Sequence, residues 1–377
     1  MTVDARDPAP AGGSTLAKDP SIVKDPGDWV ETRTGIRELA GALLHVRIPV
    51  EANTLFFGGV ALFLFLIQAA TGTLLALYYK PSPEVAYDSV ISIMSDINFG
   101  WLIRSIHHWA ANLMILFVVF HMLRVFYQAA FKRPRELTWL VGVGLLGITL
   151  AFGFTGYLLP WDQRAYWATV VGTDIAGSVP IIGDQLLVLL RGGADVTAAT
   201  LSRFFGIHVL VLPITLAGLL AVHLTFVHQL GLANPKRIDP VAGPPPGPNK
   251  PFFPDYILDE VIAWYLVLAI LVVLASLFPA GIEAKANPLE TPEGTKPEWY
   301  FLAVYEFLKL VPRLVGIMLP MVGLAFVAIW PFLERSPEVL MRRRKKVVIA
   351  ATAILAVGVY LTGIGLGVFP PIPGVEA

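Results

Sequence analysis

GWLIRSIHHWAANLMILFVVFHMLRVFYQ, Gly100 to Gln128, decides how the chain must be read, because it sets His107 and His121 fourteen residues apart in an otherwise apolar stretch. In an α-helix fourteen residues make nearly four turns, so both imidazoles leave the same face about 21 Å apart along the axis. A second stretch, RFFGIHVLVLPITLAGLLAVHLTF from Arg203 to Phe226, repeats the pattern with His208 and His223, fifteen residues apart. Two histidines on each of two membrane helices, at matching depths, make a frame for two haems, each gripped through its iron from both sides. A lone histidine at bilayer depth serves as well for a helix-helix hydrogen bond or a step in a proton path. Four at this spacing need a shared ligand, since polar side chains in lipid are costly. A zinc site would instead need its ligands to converge on one point.

Composition agrees with a membrane setting. Of 377 residues 55% are hydrophobic and 15% charged, and mean hydropathy is +0.66, values of an integral membrane protein. With no cysteine, disulfides, thiolate-held iron-sulfur clusters and thioether-attached haem are all excluded. The formal charge is zero, so nothing points to nucleic acid.

In chain order, residues 1–28 are rich in Pro, Gly, Asp and Lys and lack the apolar centre of a signal peptide; they read as a disordered tail. WVETRTGIRELAGALLH, Trp29 to His45, is amphipathic and reads as an interfacial helix. Spans are expected near 54–79, 100–128, 137–159 and 200–229, making with that helix a four-helix di-haem unit over 29–235. A proline-dense linker, 236–255, cannot be helical. Three further spans near 256–278, 314–333 and 347–368 form a C-terminal unit, 256–377. The fold class is thus an all-α integral membrane protein: a four-helix haem-binding bundle followed by three transmembrane helices.

KPSPEVAYDSVISIMSDINFGW, after the first span, reads as a polar loop. The stretch from Gly156 to Gly193 is too broken to span and too apolar to be free, so it reads as short surface helices, with Trp161, Tyr166 and Trp167 at the interface. A further interfacial helix is expected after Pro297. The first span holds Gly58 and Gly72, the third Gly142 and Gly156, again at fourteen-residue intervals. Such pairs offer bare patches at two depths for flat ligands, or ordinary close helix packing. Lys132, Arg133, Arg135, Lys236, Arg237 and the run 342–346 fall in loops on the N-terminal side. That side is therefore expected to be cytoplasmic and the C-terminus outside. His107 then pairs with His208 near the outer face and His121 with His223 near the inner.

Two stacked haems conduct single electrons, and the membrane-soluble carrier that both donates and accepts them is a quinone. Quinol oxidation also releases protons, so the outer site needs a base. Glu298, in KPEWYF at a helix start, is the candidate, its charged form favoured by the helix end; a capping role is the alternative. Arg104, Arg124 and Arg203 lie within a turn or two of the histidines, placed for haem propionates or for lipid headgroups. His228, Asp259 and Glu260 stand where an inner quinone would be protonated, or mark the headgroup region.

By these residues the chain resembles cytochrome b, the haem-bearing core of the cytochrome bc and b6f complexes. GYLLPWDQRAYWAT (156–169), PEWY (297–300) and PFLE (331–334) carry the resemblance with the histidine and glycine pairs. GWLIRS, FKRPRELTW, the fifteen-residue interval and three helices after the linker are similar to the photosynthetic branch, though both halves are fused here. His228 is instead similar to an inner-quinone histidine of the respiratory branch. Phe56 stands where the photosynthetic branch has a cysteine that anchors an extra haem.

The resemblance implies an enzyme subunit: bifurcated quinol oxidation outside, electron transfer through two non-covalent b haems to an inner quinone site, and proton translocation. It implies Glu298 as proton acceptor with Tyr157 and Tyr300 lining the pocket. It also implies a Rieske iron-sulfur protein, a cytochrome c or equivalent acceptor, a second copy of the chain, and the bacterial inner membrane. Two alternatives remain open at this point: a di-haem membrane anchor of a quinone-linked dehydrogenase, which has no use for PEWY and three added spans, and a histidine-relay transporter, which would hold no haem.

Overall fold

The structure is a computed structural model that describes residues 46–50, 56–233 and 248–372. The expected tail (1–28), the interfacial helix (29–45) and much of the proline-rich linker lie outside those residues. Among the described residues there are eleven helices, and seven are long and apolar enough to cross a membrane: α1 (Phe57–Ala76), α3 (Gly100–Tyr127), α4 (Glu136–Tyr157), α7 (Ala198–Leu230), α8 (Phe252–Leu277), α10 (Arg313–Leu333) and α11 (Lys345–Gly365). Large apolar side chains such as Leu210, Ile214, Leu266 and Ile354 stay exposed along them. Exposed apolar faces of this length are lipid-facing, and the chain is a multi-pass membrane protein.

The four shorter helices are α2 (Ala86–Ser95), α5 (Gln163–Gly177), α6 (Gly183–Arg191) and α9 (Trp299–Leu310). The stretch expected as a polar loop after the first span thus contains a helix. Ala86, Val90 and Ile93 recur at helical spacing and are buried, which is enough to fold α2 against the start of α3. Trp161 and Tyr166 are not at a lipid interface either. They are buried with Leu158, Leu201 and Phe204 in an apolar cluster that fixes α5 over the ends of α4 and α7. Asp162 starts α5 by accepting from the Ala165 amide at 2.9 Å.

Helices α1, α3, α4 and α7 form the central bundle, with α1 on α3 and α4 on α7, and α8 lies along α3 and α1. Val60 and Leu64 of α1, Ala110 and Met114 of α3, Leu216 of α7 and Val267 and Leu271 of α8 make the core between them. The linker's last residues are ordered. Asn249–Pro251 pairs antiparallel with Arg47–Pro49, Phe253 is extended backbone, and the regular α-helical part of α8 is Ile257–Leu277, where the span was expected.

The C-terminal helices dock at both ends of the bundle. On one side the basic loops after α3 and after α10 meet. Glu334 is buried between Lys132 at 3.0 Å and Arg344 at 2.6 Å, and Lys132 also donates to the Ser336 and Glu338 carbonyls. Trp139 of α4 donates to the Val327 carbonyl of α10 at 2.8 Å, beside Phe131. Within lipid there is no hydrophobic force between helices, so packing and such polar contacts hold them together.

Burial alone would push the Glu334 carboxyl up, but hydrogen bonds from Arg344 and Lys132 outweigh it and hold it below the usual value. Its stabilisation is therefore present at neutral pH and lost as pH falls through that lowered value. Glu334→Ala leaves two cations buried without their carboxylate and should cost about 3–5 kcal/mol. A lower thermal denaturation midpoint of the solubilised protein at pH 7, with the difference from wild type shrinking in acid, checks this.

Candidate functional site

The four histidines come together as two facing pairs. His107 of α3 and His208 of α7 have ring centres 6.5 Å apart with planes at 69°; His121 and His223, deeper along the same helices, are 6.4 Å apart at 74°. No three His, Asp or Glu side chains converge among the described residues, so no cage for a bare metal ion is built here. Two imidazoles bonded to one iron from opposite sides, at about 2 Å per bond, would have ring centres roughly 6 Å apart. Both pairs fit a porphyrin iron, whose remaining four ligands come with it.

The unequal histidine intervals are reconciled by the backbone. Residues Ile207–Val211 of α7 form a π-turn that contains His208, and Leu212 donates to the Ile207 carbonyl five residues back. Pro213 lacks the amide that an α-helix would aim at Val209, which favours the wider turn. The turn absorbs one extra residue, so fifteen positions on α7 match fourteen on α3.

Each glycine of the fourteen-residue pairs abuts one of these rings. A Cβ on Gly58 or Gly72 would stand 3.1 Å from His121 or His107, and one on Gly142 3.4 Å from His223. On Gly156 it would stand 2.5 Å from His208, closer than a side chain tolerates. The absence of a side chain thus gives each imidazole room against α1 or α4. Around the His121–His223 pair is a cavity of about 140 Å³ lined by those rings, Gly142, Arg124, Arg135 and Thr138. Arg135, named in the sequence only as a loop charge, is therefore a wall residue. Its guanidinium also donates to the Leu230 carbonyl at 3.0 Å.

Of the other arginines, Arg104 donates to the carbonyls of Ala280 and Gly281 at 2.5 and 2.8 Å, and Arg203 to those of Val188 and Leu189, both at 2.7 Å. Arg124 lines the cavity beside the His121–His223 pair. His228 is exposed and is not among the residues lining that cavity, while Asp259 pairs with Lys250. Glu260 packs its carboxylate onto Gly59 of α1 and faces Tyr256. Phe56 meets Tyr256 edge-on at 5.7 Å.

At the opposite end of the bundle Glu298 sits at the N-cap of α9, yet its side chain caps nothing. Instead it faces the Tyr157 hydroxyl at the end of α4, with Arg164 nearby. Burial raises the carboxyl above its ordinary value, and Arg164 and Tyr157 only partly offset this. The helix end does not dominate: burial favours proton binding here relative to an exposed carboxylate, where the position alone would favour the charged form. Tyr300 is likewise pushed up by burial and by Glu298. Its hydroxyl lies so close to Gly153 that a Cβ there would be 2.9 Å away. Trp299 donates to Asn112 of α3 at 2.7 Å, a residue no motif singled out. Glu298, Tyr157 and Tyr300 are thus one cluster, built from both halves of the chain at the end nearer the His107–His208 pair.

The chain matches the family model "Cytochrome b/b6/petB" over residues 46–231 and "Cytochrome b(C-terminal)/b6/petD" over 285–372. It is 40% identical over 331 residues to the cytochrome bc complex cytochrome b subunit of Chlorobaculum thiosulfatiphilum, covering 84% of this chain and 77% of that one. Cytochrome b6 of Heliobacterium mobile is 47% identical over 211 residues, 55% of this chain and 99% of that one. Among solved structures, a chain of a hyperthermophilic respiratory Complex III superposes with a TM-score of 0.83 at 36% identity, covering 92% of both. The chain therefore belongs to the cytochrome b/b6 family, as the cytochrome b subunit of a bc-type oxidoreductase.

Proposed function

We propose that this subunit oxidises quinol in the Glu298–Tyr157–Tyr300 cluster on the outer side of a bacterial inner membrane and delivers electrons to quinone on the inner side. The observation that carries the reading is the pair of facing imidazole sets in line with a buried carboxylate–tyrosine cluster. When bound between His107 and His208 and between His121 and His223, two non-covalent b haems supply a one-electron path across the bilayer.

Quinol gives up two electrons and two protons. One electron leaves to a Rieske iron-sulfur partner, and from it to a cytochrome c or equivalent acceptor; the other crosses inward. Glu298 in its carboxylate form takes a proton as it is released, its burial making it a stronger base than an exposed carboxylate, and Arg164 at the surface offers an exit toward water. Tyr157 orients that carboxylate, while Tyr300 and Phe301 form an apolar wall beside Gly153. On the inner side, quinone takes up two electrons over two turnovers and two protons from the cytoplasm. Glu260 is the inner carboxylate best placed for this, with His228 at the surface near the end of α7. The net result is proton translocation, with the N-terminus cytoplasmic, the C-terminus outside, and two copies of the chain in the complex. A dehydrogenase anchor would have no use for a protonatable cluster built from α4 and α9.

A redox titration of the purified complex should find two b-type centres of different potential per chain, and His208→Leu should remove one and spare the other. Reduction of haem on adding oxidant with quinol, abolished by an outer-site quinol analogue, tests bifurcation; its absence sinks it. Glu298→Gln should slow quinol oxidation about 100-fold. It should also flatten the limb of the pH profile that in wild type rises as this carboxyl loses its proton. One alanine inserted after Leu210 turns His208 by about 100° out of line. That variant should lose the outer centre, whereas deleting Leu210 exchanges the π-turn for α-helix and should keep both.

A further inference from the structure

The two histidine pairs differ in what stands behind them. On α1 the residues before the paired glycines are Phe57 and Thr71, and on α4 they are Val141 and Thr155. At the position before the paired glycine a hydroxyl is thus present only at the level of His107 and His208, while Thr138 reaches His223 through its carbonyl. Thr71 Oγ1 lies 2.8 Å from His107 Nδ1, and Thr155 Oγ1 lies 3.1 Å from His208 Nδ1.

The direction of these hydrogen bonds follows from the rest of the geometry. Each threonine hydroxyl donates its own hydrogen to a carbonyl one turn back, Thr71 to Ile67 at 2.7 Å and Thr155 to Ala151 at 2.8 Å. Its oxygen is then left to accept, so the ring nitrogen donates. The Phe152 carbonyl, also facing His208, is likewise an acceptor. Nδ1 therefore carries the hydrogen in both outer rings, and Nε2 is the nitrogen available to bond a metal. At the inner level His121 Nδ1 and His223 Nδ1 are buried without a hydrogen bond of proper geometry; only the Thr138 carbonyl faces His223.

We propose that Thr71 and Thr155 are positioning residues that fix the ring tautomer of the outer pair and set the outer centre below the inner one in reduction potential. An Nδ1–H that donates to an oxygen shifts electron density toward Nε2 and makes the imidazole a stronger ligand. A stronger donor favours the oxidised metal over the reduced one, which lowers the potential. Guanidinium charge stands at both levels, Arg104 by His107 and Arg124 by His121 with Arg135 also in the wall of that cavity, and it stays in place when the hydroxyls are removed, so threonine-to-valine variants read the hydroxyls alone. The two threonines thereby give electrons a downhill direction from the outer side inward. This inference rests on the reading of the four histidines as haem ligands.

The test is a redox titration of the purified complex, with haem counted per chain. T71V and T155V should each favour the reduced form of the outer centre about tenfold at fixed potential, about 59 mV for a one-electron couple, and leave the inner centre unmoved. T71S should restore the wild-type value. V141T, which places a hydroxyl behind His223 as Thr155 stands behind His208, should shift the inner centre the opposite way. An unmoved outer potential in valine variants that keep both haems overturns the proposal. If those variants shed haem, an unmoved inner potential in V141T overturns it. Fewer than two haems in the wild-type chain would instead refute the ligand reading beneath it.

Discussion

Holding imidazoles at bilayer depth is the constraint on which this structure depends. An unpartnered polar ring in lipid is costly, and four of them on two helices are tolerable only if each faces a partner and is shielded from the acyl chains. Helices α3 and α7 set the rings opposite one another, and α1 and α4 bring up glycines so that a ring can pass without collision. The π-turn around His208 belongs to the same constraint. Without it the fifteen-residue interval on α7 would drift out of step with the fourteen-residue interval on α3.

The C-terminal helices complete a site that the bundle alone lacks. Glu298 and Tyr300 come from the segment leading into and through α9, whereas Tyr157, Gly153 and Asn112 belong to the bundle. The Glu298–Tyr157–Tyr300 cluster therefore exists only where the two halves meet. At the other membrane face Glu334 is gripped by Lys132 from one half and Arg344 from the other. Contacts at both faces fix the second half against α4 and keep Glu298 against Tyr157.

Charge placement follows burial more than helix polarity. Glu298 occupies the start of α9, where the helix dipole would favour an anion, yet desolvation wins and the carboxyl is raised. Glu334 is also buried, but two cations touch it and desolvation loses. The sign of the shift is decided by whether a counter-charge is within contact distance, which no spacing rule reports.

Periodicity and polarity determined the membrane class, the seven spans, the pairing of His107 with His208 and of His121 with His223 as helix-face neighbours, and the glycine intervals behind them. These are local or repeating properties, carried by 3.6-residue geometry and by the cost of polar groups in lipid. The helix within the 80–101 stretch was hidden because its apolar positions are few and short-range. The burial of Trp161 and Tyr166, the approach of Glu298 to Tyr157, the engagement of Arg104 and Arg203 by backbone carbonyls, and the placement of Asn112, Arg135, Thr71 and Thr155 were decided only by tertiary structure. Each depends on a partner from another helix, and the distance between residues far apart in the chain is fixed by packing, not by sequence interval.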